Sequence, residues 1–137
     1  MSSVTVTVAG GTDIGRVRST NQDSFLTNLQ DKIFIVADGM GGHAGGEVAS
    51  QMCVNVAETY LKDGLKKHQE PQFSVLLQEA LNAASTKIYE RALEQPALKG
   101  MGTTATILCI KNNQAFCGHV GDSRLYLLRA GLIYQMT

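Results

Sequence analysis

Val4, Val6 and Val8 alternate with Thr5 and Thr7, a period of two that predicts a β-branched strand ending at Gly10 and Gly11. Residues 25–29 predict a second short strand. After the polar break at Asp31 and Lys32, the unbroken apolar run 33–37 predicts a strand buried on both faces and ending at Asp38. The period then changes. Val48, Met52 and Val56 recur every fourth residue, with Ala49, Cys53, Tyr60 and Leu61 beside them, which predicts an amphipathic helix over about 46–62. Asp63, Gly64 and Pro71 bracket a polar connection. A second helical stripe runs from Phe73 through Leu77, Ala84 and Ile88 to Leu93, and Pro96 closes it. Two long helices joined by a short loop are expected to pack antiparallel.

Strand patterns return after Gly102. They cover residues 103–110, 114–120, 125–128 and 132–136, with turns at Asn112-Asn113 and Ala130-Gly131. Strands, two helices, then strands give an α+β class with mostly antiparallel sheet.

Composition narrows the function classes. The chain has 137 residues, 12 basic against 12 acidic, and 44% hydrophobic positions. That balance excludes intrinsic disorder and argues against nucleic acid as a partner, because phosphate neutralisation needs a basic surplus. No apolar run approaches the ~20 residues that span a bilayer, so no membrane partner is expected. Cys53, Cys109 and Cys117 are odd in number, lack CxxC spacing and lie in apolar stretches. They read as buried, reduced thiols in a cytoplasmic protein. Five of the 14 glycines fall between Gly39 and Gly46, which suggests a backbone that must approach something closely.

Asp38 stands at a strand end before that glycine-rich loop. A carboxylate there, with the Gly39 carbonyl beside it, offers oxygen ligands of the kind hard cations take. Arg18 could hold a phosphate with its fork of donors. On residues alone, however, Arg18 and Asp23 are expected to pair with each other on a solvated loop. Asp122, in Gly121-Asp122-Ser123, is explained equally by a hairpin turn. His119 reads as a packed histidine and His68 as a solvated one. His43 shares the glycine loop with Asp38 and could donate a proton to a leaving group.

The combination is more specific than its parts. Thr12-Asp13-Ile14-Gly15 and Arg18 with Asn21-Gln22-Asp23-Ser24 come first. Asp38-Gly39-Met40-Gly41-Gly42-His43-Ala44-Gly45-Gly46-Glu47, Gly102-Thr103-Thr104 and Gly121-Asp122-Ser123-Arg124 follow. In this order and spacing the chain resembles the bacterial branch of the PPM family, the protein phosphatase 2C-like serine/threonine phosphatases, from Gly11 to its last residue.

The resemblance implies a fold: part of an α-β-β-α sandwich, with two mostly antiparallel sheets and a pair of antiparallel helices. It also implies a reaction, the hydrolysis of phosphoserine or phosphothreonine in proteins by a water bridging two Mg²⁺ or Mn²⁺ ions. Asp38 would bridge the metals and Gly39 would ligate one through its carbonyl. Asp23 would act through metal-bound water, Arg18 would bind substrate phosphate, and Asp122 would help hold a third ion. Gln22 stands where many members have Glu, which weakens it as a ligand. Met40 stands where some members have a histidine that serves as general acid, which leaves His43 as the nearest substitute. A cognate serine/threonine kinase is the implied partner.

Family domains run on past this length and carry two further metal-binding aspartates, whereas no acidic residue follows Asp122 here. Residues 1–137 are therefore expected to be the N-terminal portion of one phosphatase domain, inactive alone and prone to dimerise or swap through uncovered strand edges. The alternative is a non-catalytic regulatory or phosphopeptide-binding module. A nucleotide-binding protein fails, because no G-x-G-x-x-G follows a strand and no P-loop lysine is present.

Overall fold

The structure, a computed structural model, describes residues 3–137. Its main sheet is built from β1 (Asp23–Asn28), β2 (Ile33–Met40), β4 (Ala105–Lys111) and β5 (Gln114–Val120), in that spatial order and antiparallel throughout. The short β3 (Gly102–Thr103) pairs with the end of β2. A separate hairpin joins β6 (Tyr126–Arg129) to β7 (Leu132–Gln135). Asn112 and Asn113 both have positive φ, 51° and 62°, which gives the β4–β5 turn the twist a two-residue hairpin needs.

Helices α1 (Gly45–Lys67) and α2 (Phe73–Glu94) lie together on one face of the main sheet. They run antiparallel, since Ala49 near the start of α1 packs in one cluster with Ala84 and Ile88 late in α2. At the other end, Gly64 meets Leu76. Odd-numbered residues of β2 (Ile33, Ile35, Ala37, Gly39) point towards the helices and are buried. With Leu61, Leu77 and Ile107 they form the core. The strand period of two therefore sends Phe34, Val36, Asp38 and Met40 to the opposite face.

Four expectations change. Residues 4–8 form no strand: no neighbouring strand pairs with them, and the Val4 N–H donates instead to Asn113 Oδ1 at 2.9 Å. The run from Ile33 is buried on one face only, with Val36 46% exposed, because the helices cover a single side of the sheet. That strand continues through Asp38 to Met40, held there by β3. Helix α1 runs on to Lys67, since Gly64 lies within it and lets α2 approach closely, so the polar connection shrinks to residues 68–72. Of the three thiols, Cys53 and Cys109 are buried but Cys117 is exposed, on the sheet face away from the helices. Burial pushes the Cys53 thiol up to about 11 and Cys109 up to about 12.

Candidate metal and phosphate site

Antiparallel pairing places Asp23 directly opposite Asp38. Both side chains point away from the helices, so two carboxylates face each other across neighbouring strands with Cβ atoms about 5 Å apart. Like charges so placed repel. Partial burial raises the pKa of Asp38 above its ordinary value, and the Asp23 charge, a proton shared with Asp23, and the more distant Asp122 raise it further. Arg18 pulls the other way. Arg18, Asp23 and Asp38, from two separated stretches of chain, thus meet at one place, while Asp122 lines neither hollow there and is felt at Asp38 only through its charge.

The cleft at this place has a volume of about 500 Å³ and is lined by Asp13, Arg18, Gln22, Asp23, Asp38 and Gly39, among others. A smaller hollow of about 220 Å³ adjoins it, with Asp23, Asp38 and Ser123 in its wall. Arg18 is exposed and makes no ion pair with Asp23: the described residues hold a single ion pair, Lys87 with Glu90. The pairing expected from the residues alone gives way to a guanidinium free to meet an anion in the cleft. Asp13 shapes the loop that carries Arg18 by accepting the Gly15 N–H at 2.7 Å.

The glycine loop is packed backbone against backbone. The Gly39 N–H donates to the Gln22 carbonyl at 3.0 Å. A Cβ at Gly39 would overlap the Gly46 carbonyl and lie 2.7 Å from the Gln22 oxygen. Gln22 also braces the loop with its side chain. Its Nε2 donates to the Gly41 carbonyl at 3.2 Å, and a Cβ at Gly46 would come within 2.6 Å of its Cδ. His43 is exposed at a positive φ of 53° and lines neither hollow beside Asp38.

Asp122 lies in the passage from β5 to β6. Because β6 pairs with β7 and not with β5, the segment crosses between sheets and is no hairpin turn. His119 helps hold it: Nε2 is 2.8 Å from the Gly121 carbonyl, and Nδ1 is 2.8 Å from the hydroxyl of the buried Thr106. In the neutral ring the Gly121 contact puts the proton on Nε2, so that Nδ1 accepts from Thr106. The sequence alone marks His119 only as packing and does not reveal this tie. Nor does it single out Asn21, whose Oδ1 accepts the Asp23 N–H at 3.0 Å while its amide donates to Thr12. The available signal is an Asn two residues before a strand, a common local anchor for backbone.

Apart from Arg18, the charged side chains lining the two hollows are the carboxylates Asp13, Asp23 and Asp38, which suit hard divalent cations. Among the described residues, however, no three His, Cys, Asp or Glu side chains gather at metal-ligating distance. The residues present fit part of a coordination sphere. No described helix is long and apolar enough to cross a membrane.

Comparison with known proteins extends this picture. The family pattern described as Protein phosphatase 2C matches residues 11–136. The serine/threonine protein phosphatase PstP of Mycobacterium tuberculosis is 40% identical over 141 residues, covering all of this chain and 26% of that protein. The serine/threonine phosphatase stp of Listeria innocua is 36% identical over 129 residues, covering 92% of this chain and 51% of its own length. A crystal structure of the M. tuberculosis phosphatase PstP/Ppp superposes with a TM-score of 0.80 at 39% identity, over 90% of this chain and 50% of that one. The catalytic domain of PstP, crystallised with two manganese ions, gives 0.78 at 40% identity over 90% and 51%. The chain thus spans between a quarter and a half of the relatives it matches.

Proposed function

This chain belongs to the protein phosphatase 2C family, and on that premise we propose that residues 1–137 are the N-terminal portion of a single catalytic domain. The whole domain hydrolyses phosphoserine and phosphothreonine in proteins with Mg²⁺ or Mn²⁺, two or three ions in all, in the cytoplasm and against a cognate serine/threonine kinase. The observation that carries this reading is the pair Asp23 and Asp38, facing each other across β1 and β2 with Arg18 on the same cleft. Two carboxylates in that position repel unless a cation lies between them.

Asp38 and the Gly39 carbonyl would hold the cations, Asp23 would act through metal-bound water, and Asp122 would help hold one more. When bound, they supply Lewis acidity and lower the pKa of water to give a nucleophile near neutral pH. Arg18 offers its guanidinium fork to the substrate phosphate, which it can bind bidentately and orient for in-line attack. Gln22 acts by fixing the glycine loop against α1 and so fixing Asp38. His43, away from both hollows, would need the loop to move before it could protonate a leaving group.

Too few ligands gather among the described residues to complete such a site. The 137 residues alone should show no Mn²⁺-dependent turnover of p-nitrophenyl phosphate, and a longer protein that includes the rest of the relatives' catalytic domain should show it. Turnover by the 137-residue chain would overturn the partial-domain reading. Phosphopeptide binding without turnover in the longer protein would favour a regulatory module instead.

The β6–β7 hairpin exposes Leu128 at 73% and Ile133 at 69%, with Leu132 and Tyr134 beside them. Apolar strands open to solvent invite pairing with another copy. Light scattering on the isolated chain should give a mass that rises above the monomer with concentration. A constant monomer mass at high concentration would contradict self-association.

A further inference from the structure

One side chain links the backbone of Asp38 to the turn that carries Asp122. Thr104 fills the one-residue break between β3 and β4. Its N–H donates to the Asp38 carbonyl at 2.9 Å, and its hydroxyl oxygen accepts the Asp38 N–H at 3.0 Å. That same oxygen lies 2.7 Å from Ser123 Oγ. A hydroxyl has one proton and two lone pairs, so it can take the Asp38 N–H and still bond Ser123. The Thr104 methyl does a second job. Gly121 packs so tightly against it that a Cβ there would lie 2.7 Å from Thr104 Cγ2, and Gly121 has a φ of +99°. Asp122 sits between the residue that meets the methyl and the residue that meets the hydroxyl.

We propose that Thr104 is a positioning residue for the cation site, setting the separation of Asp38 and Asp122 through its hydroxyl. The proposal rests on the metal-dependent reading given above. The roles divide cleanly between substitutions. Valine keeps the methyl and the shape but loses the hydroxyl. Serine keeps the hydroxyl, and its smaller side chain loses only the packing on Gly121.

The test is nuclear magnetic resonance on the 137-residue chain, with Mn²⁺ added and paramagnetic broadening followed at Asp38 and Asp122. In Thr104→Val the Asp38 amide proton should move upfield and exchange roughly tenfold faster, as expected for one lost hydrogen bond. The apparent Mn²⁺ dissociation constant should rise about tenfold, the usual effect of removing a group that orients a ligand. Thr104→Ser should restore both, and Ser123→Ala, which severs the link at its other end, should weaken Mn²⁺ without moving the Asp38 amide as far. Parent-like Mn²⁺ binding in Thr104→Val, or no recovery in Thr104→Ser, would overturn the proposal alone. No Mn²⁺ effect in the parent chain would overturn the placing of a partial cation site in these 137 residues, and this proposal with it, while the activity of the longer protein tests the metal-dependent reading separately.

Discussion

Asp38→Asn should make the metal-free chain more stable while abolishing its response to Mn²⁺. The two effects have one cause. Asp38 and Asp23 are cross-strand partners on the exposed face of the sheet, where a like-charge pair costs roughly 0.2–1 kcal/mol. Screening by solvent holds the gain towards the lower end. Neutralising Asp38 removes that repulsion and keeps the side-chain shape, so the unfolding midpoint should rise by about 1–3 °C in a chain of this size. The same change removes the proposed central cation ligand, and Mn²⁺ affinity should fall by at least ~100-fold, beyond what loss of an orienting neighbour produces. Differential scanning calorimetry with and without Mn²⁺ measures both. A destabilised metal-free variant would show that Asp38 serves folding and not a cation.

The same pair sets a pH dependence. Partial burial and the Asp23 charge raise Asp38 above its ordinary 3.8. The folded chain therefore holds this proton more tightly than the unfolded chain does. Its stabilising contribution is full below 3.8 and is lost as pH rises through the higher folded value. Metal-free stability should decline across that window in the parent and lack the decline in Asp38→Asn. Cation binding has the opposite sign, since the ion must displace the proton, and it weakens as pH falls through the folded value.

The second large effect belongs to Gly39. Backbone closes on it from two directions, the Gly46 carbonyl on one side and the Gln22 oxygen, 2.7 Å from where a Cβ would stand, on the other. Neither can turn away as a side-chain tip can. Gly39→Ala should therefore force α1 from the end of β2, destabilising the chain by about 3 kcal/mol, the upper part of the usual range for overpacking. Gly42, three residues on, has open space where a methyl would go, with no atom within 4 Å and no positive φ. Gly42→Ala should leave stability within ~0.5 kcal/mol of the parent. Urea denaturation of the two variants separates a glycine required by packing from one that is merely present. Equal midpoints would refute the close-approach account of the loop.

These contrasts show which features the residues announce. The two helices and the strands from Phe25 onward follow from periodicity, because each buries one face and repeats at 3.6 or 2 residues. The glycine cluster correctly marks close backbone approach, but the sequence cannot say that Gly39 and Gly46 meet each other while Gly42 meets nothing. The alternation at Val4, Val6 and Val8 misleads, since a strand needs a neighbour and pattern alone supplies none. The site is legible in its identities and not in its links. Asp23 and Asp38 stand fifteen positions apart, and only the β1–β2 register makes them partners. Thr104 and His119 look like ordinary strand residues until the fold brings each to the Gly121–Ser123 turn.

The central claim is that this chain carries part of a divalent-cation site, completed by residues found in the rest of the relatives' catalytic domain. Calorimetric titration of Mn²⁺ into the 137-residue chain, beside a longer protein that includes that remainder, tests it most directly. The account predicts weak binding to this chain, lost in Asp38→Asn, and binding at least ~100-fold tighter in the longer protein. Equal affinity in the two, or weak binding that survives Asp38→Asn, would contradict it.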